Sequence, residues 1–307
     1  MNISELINYK DNHNRLNYIC NNRENIVPFV GAGVSIDCGL YSWLDMLDII
    51  AKDYFTADEI KRMHNFGNCF SYADKIVEVT GNQNMIMEKI KEIFQNAEIT
   101  LTDTPYILTS SFSNLIVTTN YDTILEEASR QNIITSPLKP LLPCLKGQID
   151  AAIQNNERCL LKLHGSIEET SSIILTTKQY DKFYGKSSRR NKPLPRYLEK
   201  LFTTKKLLFV GCSLEFDRTL NILLECLKKD EKISHYAIVP WFDNETKNIS
   251  QSRRLTKLGI VPIYFPEGDY CSVQNILRYL AKENLFTKQI KNIICEISDK
   301  ITSDTIV

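Results

Sequence analysis

No two cysteines of this chain stand in a Cys-x-x-Cys pair: the nine fall at 20, 38, 69, 144, 159, 212, 226, 271 and 295. That spacing removes the usual structural zinc signature, and no zinc is expected. The odd count, the scatter and the apolar neighbours of Cys159, Cys226 and Cys295 fit reduced, buried thiols, and with them a cytoplasmic protein. The chain also lacks an apolar run of the ~18 residues that a membrane span requires, and its first ten residues lack the basic start and apolar stretch of a secretory leader. No membrane contact is expected. Net charge is missing as well: 37 basic residues balance 37 acidic ones, so no global field draws the protein to nucleic acid or lipid. Neither an internal repeat nor a low-complexity segment is visible.

What is present is an ordinary globular composition, 43% hydrophobic and 24% charged over 307 residues, enough for one or two domains. Three segments have the form of a buried strand running straight into a loop with chemical potential: Ile26-Val-Pro-Phe-Val-Gly-Ala-Gly-Val-Ser35, Leu115-Ile-Val-Thr-Thr-Asn-Tyr-Asp122 and Leu160-Leu-Lys-Leu-His-Gly-Ser166. A fourth is found at Leu207-Leu-Phe-Val-Gly-Cys-Ser213. In a parallel sheet such loops collect at the carboxyl ends of the strands, where nucleotides bind.

The periodicity predicts an α/β fold, a doubly wound, mostly parallel sheet of Rossmann-like type, with a helical insertion between the first two strands. An N-terminal helix is expected within residues 1–22, from Leu6 to about Tyr18, and one catalytic domain over 23–302 with a short tail at 303–307. Trp43, Leu47, Ile50 and Tyr54 recur at helical spacing, and the same register continues from Ala57 onward without strand signals, so the insertion is placed at about 57–110. Strands are expected at 26–30, 115–118, 158–163, 206–211, 235–240 and 260–265. Pro137, Pro140 and Pro143 read as a loop, and helices are expected near 149–153, over Phe216–Leu227 and from Ser272 to about Ile301. The basic stretch Lys186–Arg196, with two prolines, reads as a solvated loop; a phosphate or nucleic-acid contact is disfavoured because no aromatic residues are interleaved to stack bases.

Each candidate residue has a plainer alternative. Gly31-Ala32-Gly33 closes a strand before a helix, as a phosphate-cradling loop does, or makes a simple tight turn; Ile36 stands where a dinucleotide fingerprint has its third glycine. Asn120 and Asp122 come after the second strand either as site residues or as caps of the next helix. His164 ends an apolar strand before Gly165, whereas His13, His64 and His235 lack such a setting. Taken singly, a histidine is more often structural than catalytic, so its weight comes from its companions.

Together the pieces resemble the sirtuin-like superfamily, specifically its NAD-degrading branch from bacterial anti-phage defence. The resemblance rests on Phe29-Val-Gly-Ala-Gly-Val-Ser35, Gly39 with Ser42-Trp43, Thr118-Thr-Asn-Tyr-Asp122, Lys162-Leu-His-Gly-Ser166, Thr177-Lys-Gln-Tyr-Asp-Lys-Phe183 and Phe209-Val-Gly-Cys-Ser-Leu214 with Asp217. They occur in the family's order across about residues 24–266. The chain departs from the deacylating sirtuins in lacking their two Cys-x-x-Cys pairs, in carrying Tyr41-Ser-Trp-Leu44 where they have Pro-x-Phe-Arg, and in a wider separation of Asn120 from His164.

The resemblance implies an NAD glycohydrolase, with NAD as substrate, that releases nicotinamide and ADP-ribose or a cyclic form of it as an antiviral effector. It makes Asn120 and His164 catalytic; an imidazole, with an unperturbed pKa near 6.5, can take a proton from a ribose hydroxyl or water at neutral pH. Gly31, Ala32, Gly33 and Ser35 would cradle the phosphates, Thr119 and Gly211 would join them in binding NAD, Asp122 would bond the nicotinamide carboxamide, and Ser213 and Asp217 would border the adenosine; capping is the alternative for Ser213 and Asp217. Because an unrestrained NADase would poison its own cell, activity is expected to depend on a homo-oligomer or on a separate regulatory partner such as an ATPase or phage sensor. The rival readings are deacylation or ADP-ribosyl transfer on protein, and a non-catalytic nucleotide-sensing assembly module.

Overall fold

In the computed structural model, residues 1–64, 69–133, 135–185, 192–214, 218–227 and 234–281 are described. Phe216, Asp217, the first six residues of the basic stretch, the expected helix beyond Ala281 and the tail lie outside them.

Seven parallel strands form one sheet: β1 (Ile26–Val30), β2 (Leu115–Thr118), β3 (Lys139–Leu141), β4 (Cys159–Lys162), β5 (Lys206–Val210), β6 (His235–Trp241) and β7 (Ile260–Pro266), in the order β3-β4-β2-β1-β5-β6-β7. β1, β2 and β4 are buried throughout, which is why they read as unbroken apolar runs rather than as alternation. β1 lies between β2 and β5, Phe29 opposite both Val117 and Phe209, so the order reverses beside it. A crevice at the carboxyl ends is the geometric consequence.

Side chains alternate between the two faces with the period of a strand. Val27, Phe29, Val117, Leu161 and Phe209 point into one core with α10 (Lys146–Asn155), α11 (Thr177–Tyr184), α12 (Pro193–Thr204) and α13 (Arg218–Leu227). Ile26, Val30, Ile116, Leu160 and Val210 point into the other with α1 (Ile3–Asn8), α2 (Asn12–Asn22), α8 (Asp103–Ser110), α9 (Ile124–Gln131) and α15 (Cys271–Ala281). A third cluster joins α4 (Trp43–Ala51) to α6 (Cys69–Thr80) and α7 (Gln83–Gln95), with Tyr121, Ile124, Ile167, Ile173 and Leu175 from the sheet side. The short α3 (Ala32–Asp37) and α5 (Ala57–Met63) and the longer α14 (Glu245–Lys257) complete the α-helices described. No helix among the described residues is long and apolar enough to cross a membrane.

Four details differ from the sequence reading. The N-terminal segment forms two helices, because Lys10 and Asp11 take positive φ (47° and 61°). Buried Asn12 pins that break to β7: its Nδ2 donates to the Leu6 and Tyr264 carbonyls at 3.0 and 2.8 Å and its Oδ1 accepts from Tyr264 N at 2.9 Å. The proline-rich loop contains β3, with Pro140 opposite Leu160; an edge strand tolerates the missing N–H. In addition, α8 packs on α9 and α15 rather than on the insertion, placing Ile107 and Leu108 in the sheet's own core. Finally, residues 192–196 of the basic stretch enter α12, whose first turn accommodates Pro193.

Candidate active site

The turn after β1 lies against the end of β5. Gly31 N donates to the Val210 carbonyl and Gly33 N to that of Gly211, both at 2.9 Å. A Cβ on Gly31 would sit 2.5 Å from Gly211 O, and one on Gly211, whose φ is +67°, would sit 2.6 Å from Val34 N. The glycines are therefore required for backbone-to-backbone approach, and the Gly31 and Gly33 amides are already spent on it. Their part in the site is to shape its floor.

The loop after β2 is tied to this turn. Thr118 Oγ1 donates to Val30 O at 2.9 Å and accepts from Asn120 N at 3.0 Å. Asn120 Nδ2 donates to Gly31 O at 3.1 Å and to Ser35 Oγ at 2.8 Å, and the Ser35 hydroxyl donates to Asp122 Oδ2 at 2.7 Å. A backbone carbonyl can only accept, so the amide orientation is determined: both Nδ2 hydrogens are committed and Asn120 has its Oδ1 to offer. Asp122 stands one residue before the N-cap of α9, Thr123, and its Oδ1 accepts from Ile124 N, the first amide of that helix, at 3.0 Å, while its other oxygen serves Ser35. Asn120 does not cap; it ties the loop after β2 to the N-cap residue and the body of α3.

Beneath this loop Lys162, fully buried on β4, donates to the Tyr121 carbonyl at 3.4 Å, to the Asp122 carbonyl, and to Glu126 Oε1 at 2.7 Å. Burial raises the Glu126 carboxyl above its ordinary range, with Lys162 opposing that shift.

His164 lies just past β4, held by Ile174 N on its carbonyl at 2.9 Å, before a turn at Gly165 where a Cβ would meet Ser172 O at 2.3 Å. Its ring is buried between two tyrosines of α11: Nδ1 is 3.2 Å from Tyr180 Oη and Nε2 is 2.7 Å from Tyr184 Oη, which continues to Thr219 Oγ1 at 3.1 Å. Burial pushes the imidazole pKa from 6.5 down to about 3, so the ring is neutral at neutral pH. The ordinary pKa expected from sequence does not hold.

One cavity of about 750 Å³ is lined by Gly31, Ala32, Gly33, Ser35, Thr119, Asn120, Asp122, His164, Gly211 and Ser213. Of the residues expected at the site, Asp217 lies outside the described residues. The far wall comes from the insertion and its flanks: Trp43, Phe70 and Tyr72, with Trp43 and Phe70 edge to face at 5.4 Å and Phe70 against Tyr180 at 4.1 Å. His64 is there too, 2.9 Å from Asp48 Oδ1, which also accepts from Tyr72 Oη at 2.8 Å. Sequence reasoning assigned no role to Tyr184, Thr219, Lys162, Glu126, Phe70 or His64. Tyr180 and Tyr184 carried a usable signal, since their spacing puts both on one helix face. Among the described residues no group of three or more His, Cys, Asp or Glu side chains could hold a metal ion.

Comparison with known proteins points the same way. A family model described as "SIR2-like domain" matches residues 114–263. "NAD(+) hydrolase ThsA" of Bacillus cereus (strain MSX-D12) is 25% identical over 219 residues, 70% of this chain and 43% of the relative. The protein of the same name from Enterococcus faecium is 25% identical over 280 residues, 85% of this chain and 56% of the relative. The chain thus spans about half the length of the curated relatives it matches. With the parallel sheet, the glycine turn and the Asn120, Asp122 and His164 loops on one cavity, residues 114–263 match the SIR2-like domain and the chain is similar to sirtuin-like proteins.

Proposed function

We propose that the chain cleaves the nicotinamide–ribose bond of NAD, giving nicotinamide and ADP-ribose or a cyclised form of it, and that it acts in the cytoplasm as an antiviral effector. The observation that carries this reading is the convergence of Asn120, Asp122 and His164 with the glycine turn on one cavity of about 750 Å³ at the switch point of the sheet. The names of the relatives support the same chemistry.

The reaction asks little of the protein. The nicotinamide ring is cationic while attached and leaves neutral, so no acid is needed. What must be stabilised is an oxocarbenium-like ribose beside a positioned nucleophile. Asn120 Oδ1 accepts from a ribose hydroxyl or a water without capturing the cation, because an amide oxygen is a weak nucleophile. Asp122 takes the carboxamide, and the Gly31–Ser35 turn and Gly211–Ser213 border the phosphates and adenosine. Activity depends on self-association or on a separate regulatory protein.

The test is nicotinamide release from NAD by the purified protein, alone and with its co-expressed gene neighbours, monitored by chromatography. Asn120→Ala and His164→Ala are each expected to lose turnover by about 10²-fold or more. Retained turnover in both variants removes the mechanism.

A further inference from the structure

The tyrosines around His164 change what the histidine can do. A neutral imidazole has one N–H and one lone pair. Both are engaged here, Nδ1 by Tyr180 Oη at 3.2 Å and Nε2 by Tyr184 Oη at 2.7 Å. No ring nitrogen is left to meet a substrate directly. Yet the chain of contacts reaches the cavity at both ends, since Tyr180 and Thr219 line it, while Tyr184 lies behind them.

We infer that Tyr180, His164, Tyr184 and Thr219 form a hydrogen-bonded proton relay in which the Tyr180 hydroxyl, rather than the imidazole, receives the proton of the attacking water or ribose hydroxyl. The step rests on the NAD-cleavage reading. The attacking oxygen bonds to the ribose C1′ as the C1′–N bond breaks, its electron pair leaving on nicotinamide. The proton of the attacking O–H passes to Tyr180 Oη as Tyr180 gives its own to His164 Nδ1. The Nε2 proton moves to Tyr184 Oη, that of Tyr184 to Thr219 Oγ1, and that of Thr219, which is buried but lines the cavity, to water in the cavity. One proton enters and one leaves, and nothing is oxidised or reduced. The ring passes from its Nε2–H to its Nδ1–H form without carrying net charge, which suits a site whose burial opposes an imidazolium. In these terms Tyr180 is the catalytic group, and Tyr184 a positioning residue acting through His164.

The test has two arms. In the first, steady-state NAD cleavage is compared between the unaltered protein and Tyr184→Phe, which keeps the ring and removes one hydroxyl off the cavity surface. A fall in kcat of about 10²-fold with KM nearly unchanged is expected; an unaltered kcat overturns the relay. The second arm needs no turnover. In ¹⁵N-histidine spectra, with His164 assigned through His164→Gln, a neutral Nε2–H ring is expected at pH 7, its Nε2 signal moving in Tyr184→Phe and its Nδ1 signal in Tyr180→Phe. An imidazolium, an Nδ1–H ring or signals indifferent to both variants overturns the relay whatever the substrate. If the spectra behave as expected but NAD is not cleaved, the substrate reading fails and the hydrogen-bonded chain stands.

Discussion

Replacing Lys162 by methionine separates what holds the Asn120–Asp122 loop from what the loop does. Lys162 and Glu126 are 0% and 4% exposed, and Glu126 Oε2 has no hydrogen-bond partner among the described residues. Lys162→Met therefore strands a carboxylate and the Tyr121 and Asp122 carbonyls in a dry interior. Breaking one side of a buried pair costs about 3–5 kcal/mol. The loss has a pH signature. Without the lysine, burial lifts the Glu126 pKa further above the ordinary 4.5, so the folded state binds a proton that the unfolded state does not. Stability of the variant then rises as pH falls through that window, by about 1.4 kcal/mol per pH unit, narrowing its gap to the parent protein. Adding Glu126→Leu removes the stranded charge and restores all but the ~1–3 kcal/mol due to unpaired carbonyls. Urea unfolding at pH 7 and pH 5.5, with m-values compared, measures each quantity. A single variant within about 1 kcal/mol of the parent, or a double variant no more stable than the single, refutes the assignment of Lys162 as the clamp under the loop.

The same geometry gives two further outcomes. Gly211→Ala places a methyl 2.6 Å from Val34 N at a φ of +67°; it should cost at least the ~1–2 kcal/mol of the left-handed conformation and weaken the proposed NAD binding by forcing the glycine turn off β5, read by urea unfolding and calorimetry. His164, with its pKa lowered to about 3, binds a proton on unfolding when pH lies between that value and 6.5. Its contribution is thus fully present above pH 6.5 and is lost on acidification at about 1.4 kcal/mol per unit until the folded pKa is reached, so His164→Gln should flatten the acid limb of a urea-midpoint series between pH 6.5 and 4.5 by that amount; an unchanged slope refutes the buried neutral ring.

The strand-to-loop junctions were legible in the residues themselves. A fully buried parallel strand writes itself as four or five consecutive apolar residues, and the residues just past it, such as Gly31, Asn120 or His164, are read directly. The helices of the insertion were legible for the same local reason, a period of 3.6. What decided the rest is separated in sequence by tens to hundreds of residues. That β1 lies between β2 and β5, that Pro140 sits in an edge strand and that α8 serves the main core are matters of strand order and packing, which periodicity does not encode. The Gly31 and Gly33 amides turn out to serve the backbone of β5, and Asn120 to be oriented by Gly31 and Ser35, because hydrogen bonds are completed by whatever the fold brings near. The imidazole of His164 is neutral and doubly bonded because α11 buries it under Tyr180 and Tyr184, and desolvation is a property of the surroundings, not of the residue.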